Sequence, residues 1–430
     1  MRYIFKFHLR LFFLFSFFLF LLTNCTSKKD QAKTTDKLTD DEIGVLIKKN
    51  SPLNGAKIPD DIKFRLGAAH VAGKYYLTDE PFMIEGCKAI QHLGLGIVKL
   101  WLQGDPEGEY PYNSKWNLAD HSTSLDIVSH PYFKTVFDMP FKVFVLSVSS
   151  KTNLQKAWEQ PTTDYSEEEN SMYKLAKYLL VTYRNRDIVF ILQNWEGDWL
   201  LRDGTGPDAQ WTPDLYPTNI TKRCNVMINW FKARQAGIEH ARNEVGKTKC
   251  NIYHAIEVNK VLDCKKGVPG LTSDVLPYVK TDLVSWSCYD GMANPVDLWR
   301  GIEYIKENMK PTGVFPGTPV MIGEIGIPEN EGTVFGIPAQ AGKIVKDELI
   351  KRWDNAISVF LAQDIPYVIQ WEVYCNEPKS DVKDTLVHTT DEMRGFWLIR
   401  PDGTESYSAS YLKRLVQNAG KKIKNNIHIK

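Results

Sequence analysis

Val320-Met321-Ile322-Gly323-Glu324-Ile325-Gly326 is a short apolar run carrying a single carboxylate near its end. Such a run, bounded by turn formers, reads as a buried strand. A carboxylate there needs a partner or a purpose, because an unpaired buried charge is costly. Seven further runs rich in β-branched and aromatic residues lie at 64–70, 96–103, 142–149, 188–196, 251–259, 282–289 and 367–374. Between them come segments of helical periodicity, among them 167–183, 220–243, 295–309 and 341–362. Strands alternating with helices imply βαβ units and a parallel sheet. Eight such strands over about 300 residues match an α/β fold of the (β/α)8 TIM barrel type in number and size. A doubly wound sheet is the alternative, but no Gly-x-Gly-x-x-Gly opens a helix after a strand. Gly94-x-Gly96 precedes its strand and reads as a turn.

Composition agrees with a large cored body. The chain has 430 residues, 43% hydrophobic and 12% aromatic, far from the disordered class. Lys and Arg number 53 against 52 Asp and Glu, a formal charge of +1, which argues against a nucleic-acid partner. No Cys-x-x-Cys or Cys/His cluster has zinc spacing and no phosphate loop is visible, so neither a metal nor a cofactor is expected.

The N-terminus reads separately. Arg2, Lys6 and Arg10 precede an apolar run over 11–22, interrupted only by Ser16. That is short for a bilayer span and suited to a secretory signal. The run ends Leu22-Thr23-Asn24-Cys25, which resembles the lipobox of bacterial lipoproteins, with Asn24 departing from the small residue usual before the cysteine. The resemblance implies a signal peptide over 1–24 and lipidation of Cys25. It places the protein in a bacterial cell envelope, on the periplasmic or cell-surface side, with the lipid its only membrane contact. An ordinary cleaved signal or a short anchor is the plainer alternative. Residues 25–60, Lys-, Asp- and Thr-rich, read as the lipidated Cys and a flexible tether, and 61–420 as the barrel. Of the other six cysteines, Cys250 and Cys264 are the closest pair for oxidation in an exported protein, burial as small hydrophobes being the alternative.

A TIM barrel carries its chemistry at the C-terminal ends of its strands. In order these ends offer His70; Trp101 and Gln103; Ser147 and Ser149; Gln193-Asn194-Trp195-Glu196-Gly197-Asp198-Trp199; Glu257 and Asn259; Tyr289 and Asp290; Glu324; and Gln370-Trp371-Glu372. Carboxylates, amides and indoles on one rim are the side chains that grip and cleave sugars, since indole faces stack on pyranose rings and the polar groups bind hydroxyls.

On these residues the chain resembles the clan A glycoside hydrolases, the (β/α)8 "4/7" superfamily. The run around Glu324 resembles the clan's nucleophile strand. Tyr289 matches the strand-six tyrosine that bonds the nucleophile, and Trp371 the strand-eight tryptophan under the cleaved sugar. Gly395-Phe396-Trp397-Leu398-Ile399-Arg400-Pro401-Asp402-Gly403 resembles the approach to the last helix. The resemblance implies a retaining glycosidase acting on a glycan or oligosaccharide, with Glu324 as nucleophile and Glu196 as acid/base. Asn194, Trp371, Tyr289, Trp101, His70, Glu257 and Trp199 would bind substrate.

Two departures stand out. The clan has Asn and Glu adjacent, whereas Trp195 separates Asn194 from Glu196; in the other register Gln193-Asn194 leaves an amide where a proton donor is needed. The strand-two arginine that supports the nucleophile is missing, with Lys99 on that strand and Arg65 on strand one as substitutes. Plainer readings stand beside each assignment: a salt-bridged loop position for Glu196, barrel-top packing for Trp371 and Tyr289, and hydrogen-bonded structural roles for His70 and His254. Glu372 and Glu377 read equally as ligands or solvated groups. A non-catalytic glycan-binding lipoprotein on the same scaffold is the competing function.

Overall fold

The computed structural model describes residues 37–119, 122–160, 163–202, 211–331, 346–379 and 386–423. The signal-like segment, Cys25 and the start of the tether lie outside the described residues. The chain divides into two units, Met1–Glu42 and Ile43–Lys430. In the first, Thr39 N donates to Glu42 Oε2 (2.7 Å) and Glu42 N donates back to Thr39 Oγ1 (3.3 Å), a reciprocal helix cap.

The second unit begins earlier than composition implies. Residues from Ile43 onward, expected to belong to the tether, are part of this unit. Ile43 and Ile47 are buried on one face of helix α1 (Asp40–Lys49), and Ile58 is buried after it. Leu53 N donates to Asp354 Oδ1 (3.1 Å) and Ile58 N to the Lys421 carbonyl (2.9 Å). Apolar residues four apart make a helical stripe that the polar average of the segment conceals.

Eight strands form the body: β1 (Leu66–Ala69), β2 (Ile97–Leu102), β3 (Val143–Val148), β4 (Val189–Gln193), β5 (Asn251–Val258), β6 (Leu283–Ser287), β7 (Val320–Ile325) and β8 (Val368–Gln370). Each pairs parallel with the next, and β8 closes on β1, giving a closed (β/α)8 TIM barrel. The connecting helices are α2 (Phe82–His92), α3 (Pro131–Asp138), α4 (Ser166–Thr182), α5 (Ile220–Val245), α6 (Pro295–Asn308), α7 (Lys346–Ala362) and α8 (Tyr407–Gln417), while β5 and β6 are joined through the short turns of helix Val261–Lys265 and Leu271–Asp274. All six cysteines in the described residues are buried free thiols, so the Cys250–Cys264 pairing does not form.

Register matters at one strand. Trp286 pairs with Ile322 but Ser287 with Glu324, and on the other side Val368 pairs with Ile322 but Gln370 with Ile325. β7 thus carries one extra residue against both neighbours, a bulge that re-aims the side chains beyond it. Helices are pinned to the strand ends from behind. Buried Arg234 on α5 donates to Glu168 Oε1 on α4 (2.8 Å) and to the carbonyls of Val148 (3.1 Å) and Gln193 (3.3 Å). A guanidinium with five N–H donors suits this four-element junction.

Candidate active site

The bulge in β7 admits one residue type. A Cβ on Gly323 would lie 1.8 Å from Ser285 Oγ and 2.5 Å from Glu257 Oε2, so only glycine lets β7 pass and turns Glu324 into the mouth. Glu257, from β5, is the hub beneath it. Its Oε2 accepts from Lys99 Nζ (2.9 Å), Gln193 Nε2 (2.7 Å) and Ser285 Oγ (3.0 Å), and its Oε1 from the Glu196 backbone N–H (3.1 Å). Lys99, from β2, also donates to the Gly323 carbonyl (3.1 Å) and to Glu324 Oε2 (3.3 Å). Lys99 and Glu257 are 0% exposed and Glu324 4%, so these charges persist only because each is held by the others.

Glu196 follows β4 with φ +28°, a left-handed backbone that costs a non-glycine residue about 1–3 kcal/mol. In this conformation its carboxyl accepts from Ser287 Oγ on β6 (2.6 Å). Burial raises its pKa to about 7, with the Ser287 bond opposing and the Glu257 charge adding. Burial also pushes Glu324 well above the carboxylate range; Lys99 opposes this, while Glu196 and Glu257 reinforce it. Glu196 and Glu324, ending β4 and β7, therefore titrate as a pair.

Indoles line the mouth. Trp371, after β8, packs against Trp101 of β2 with centroids 5.7 Å apart, and its Nε1 donates to Glu377 Oε1 (3.0 Å). Glu377 is itself paired with Arg394. Tyr289 follows β6; burial and the nearby charges of Glu324, Glu377 and Glu196 raise its hydroxyl well above its ordinary range. Its ring meets Phe396 edge-on at 6.2 Å. Trp199 stands beyond Glu196 and faces Trp211 at 5.7 Å.

No family model and no curated protein matches the chain. Solved structures do. A GH5_18 protein from Streptomyces cattleya in complex with Manb1-4GlcNAc superposes with a TM-score of 0.50 at 11% identity, over 82% of this chain and 80% of that one. The family 1 b-glucosidase from Thermotoga maritima also gives 0.50, at 13% identity, over 85% of this chain and 100% of that one. The likeness is one of fold, the closed (β/α)8 barrel.

Within this barrel the other expected residues take varied places. Asn194 turns its amide onto the backbone of β5, accepting from Glu257 N (2.9 Å) and donating to Glu257 O (3.0 Å), so it stitches β4 to β5. Its amide is spent on backbone, while the Glu196 carboxyl joins the cluster. His70 is fully buried among the rings of Phe82, Tyr110 and Tyr374, its Nε2 bonded to the Phe82 carbonyl (2.8 Å) and its pKa lowered to about 4 by burial. It anchors α2 to β1. Glu257, expected as a sugar ligand, already accepts from four donors. Of the two substitutes for the missing arginine, Lys99 reaches Glu324. Arg65 does not: it precedes β1 at the opposite mouth and pairs with Asp61 and Asp364.

Sequence reasoning passed over Ser285 and Ser287, and weighed Gln193 only in the alternative register of strand four. A signal existed: Ser285 and Ser287 stand two apart on β6, so both point inward while Val284 and Trp286 face out. Asp198 is likewise occupied, accepting backbone N–H bonds from Asn259 (2.9 Å), Lys260 (3.2 Å) and Leu271 (2.7 Å). Glu372 is fully buried and therefore not solvated; it is bonded by Asn376 N (2.9 Å), and burial raises it well above its usual range.

Proposed function

We propose that this protein is a retaining glycoside hydrolase that cleaves a glycan or oligosaccharide by double displacement. The observation that carries the reading is the asymmetry of two neighbouring buried carboxyls. Lys99 is hydrogen-bonded to Glu324 and not to Glu196, whose partner is the neutral Ser287 hydroxyl. Two carboxyls that disfavour each other's charge retain a proton between them. Burial raises both carboxyls, and of the two only Glu324 is hydrogen-bonded to the Lys99 ammonium; on this reading that contact outweighs burial, holds the single negative charge on Glu324 and leaves the proton on Glu196. Two like residues in unlike environments are how such sites divide nucleophile from acid.

Glu324 then attacks the anomeric carbon while Glu196 gives its proton to the departing glycosidic oxygen. The leaving group departs with both electrons of the broken C–O bond. Glu196, now a carboxylate, takes a proton from water, whose oxygen displaces Glu324 and restores the starting configuration. Trp371 and Trp101 offer the apolar faces on which the cleaved sugar would stack.

The test exploits the two jobs. Glu196→Ala should slow natural glycosides far more than aryl glycosides with good leaving groups, and azide, which needs no base, should restore turnover and yield a glycosyl azide of retained configuration. A product of inverted configuration, or no response to azide together with wild-type rates, overturns the assignment. Location is a companion proposal resting on the sequence around Cys25. Lipidation there would hold the enzyme on a bacterial envelope membrane; wild-type protein should fractionate with membranes and Cys25→Ser should not.

A further inference from the structure

Beyond Glu196 the loops after β4 and β5 carry a feature that the cleavage step does not use. The Lys260 ammonium lies between two indoles, 4.7 Å from the Trp199 ring centre and 5.2 Å from that of Trp211. The rings stand almost perpendicular, at 86°. Each part is fixed. Lys260 N donates to Asp198 (3.2 Å), Trp199 N to the Glu196 carbonyl (3.1 Å), and Trp211 Nε1 to Asp263 Oδ2 (2.8 Å). On Trp211 also stacks the Arg202 guanidinium, 3.6 Å from the ring centre, held by the carbonyls of Thr212, Leu215 and Pro269. Lys260 forms no ion pair with any described residue, although it is part-buried beside the acid/base.

We propose that Trp199, Lys260 and Trp211 form the leaving-group subsite, and that it takes a glycan unit bearing a carboxylate or a sulfate. The inference rests on the glycosidase reading above. Glu196 gives its proton to the departing oxygen, so the leaving unit lies on the Glu196 side of the mouth. Trp101 and Trp371 stand on β2 and β8, away from the β4 and β5 loops that carry Lys260. A sugar held against them with its anomeric carbon at Glu324 directs its leaving group toward Lys260. The indoles strip water from part of the ammonium without using its N–H donors, so an anion there meets a poorly hydrated cation. The stacked faces meanwhile accept the apolar side of the ring. Neighbouring carboxyls are engaged elsewhere: Asp198 accepts from three backbone N–H groups, Asp290 from Leu262 N (2.8 Å) and Trp286 Nε1 (3.1 Å), and Glu196 from Ser287 Oγ (2.6 Å).

The experiment measures binding, by calorimetry, of matched oligosaccharides to the Glu324→Gln protein, which cannot turn them over. Each set has a neutral member, one with a uronic acid and one with an O-sulfate on the same backbone. Expected is about tenfold tighter binding of one or both anionic members, the worth of one charge-assisted hydrogen bond. The two arms tell carboxylate from sulfate. Lys260→Gln should bring the ratio to unity, Lys260→Arg should keep it, and raised salt should shrink it. Equal binding of neutral and anionic members, or a ratio unmoved by Lys260→Gln, overturns the proposal while leaving the glycosidase standing. Binding of no glycan, with no turnover by the wild type, overturns both.

Discussion

At the N-terminal mouth of the barrel Arg65 reaches Asp61 (3.0 Å) and Asp364 (2.9 Å), and Lys142 pairs with Asp187, the three carboxylates being 55%, 72% and 81% exposed. Tyr253, Phe315 and Tyr367 line a pocket of about 420 Å³ between them. At the C-terminal mouth Lys99, Glu257 and Glu324 make equally short contacts with almost no exposure. The same ion-pair chemistry has opposite meaning at the two ends. Water supports each lower charge, so a pair there contributes about 0–1 kcal/mol and either partner can be lost. The upper charges have left water at several kcal/mol per ion, and removing the one cation strands both carboxyls. Among the described residues the cluster of Lys99, Glu257 and Glu324 stands at the C-terminal mouth, where the proposed chemistry would take place.

The contrast can be broken most strongly at Glu324. Glu324→Gln should lower kcat by about 10⁴-fold or more on every glycoside, the scale of losing a nucleophile. The melting temperature should hold or rise, because a carboxyl disfavoured by burial is replaced by a neutral isostere. Lys99→Met attacks the hub instead. With Glu257 and Glu324 left without their cation, denaturant unfolding should show a loss of about 3–5 kcal/mol, and the pH at which Glu324 ionises should rise further. Lys99→Arg should recover part of both, since it restores the charge.

A pH titration sharpens the comparison without mutation. In the proposed mechanism Glu196 acts in its protonated form, so kcat/KM should fall as pH rises through about 7. Stability should follow the same sign. The folded protein holds this proton to about 7, whereas the unfolded chain releases it near 4.5. Its contribution is therefore full below about 4.5 and is lost between there and 7, up to about 3 kcal/mol. Glu196→Gln should flatten both dependences. The smallest effect belongs to the lower mouth: Arg65→Ala should shift stability by no more than about 1 kcal/mol and leave turnover unchanged, as parallel melts and rates would show.

Much of this was legible in the chain. The strand around Glu324 falls where its apolar run lies, and helices α4, α5 and α6 match their periodic segments within two residues at either end. Strand ends located the rim, and with it Glu196, Glu257 and Glu324 among other polar residues. The residues that take other places than expected share a cause. Asn194 and His70 are polar groups at strand ends like the rest, yet one bonds a neighbouring backbone and the other fills a ring cluster. Arg65 precedes its strand by one residue, which places it at the far mouth.

What the sequence determined by itself was periodic and local: eight buried strands, the helices between them, and a glycine beside the carboxylate that ends the seventh. Which carboxylate meets which donor was decided only by the closed barrel. Glu257 and Glu196 are 61 residues apart, and Lys99 and Glu324 are 225 apart. The charge state of each depends on burial and on partners within about 3 Å, and those exist only once the sheet has closed. As letters the three glutamates are identical; the hub, the proposed acid and the proposed nucleophile are distinguished by their surroundings.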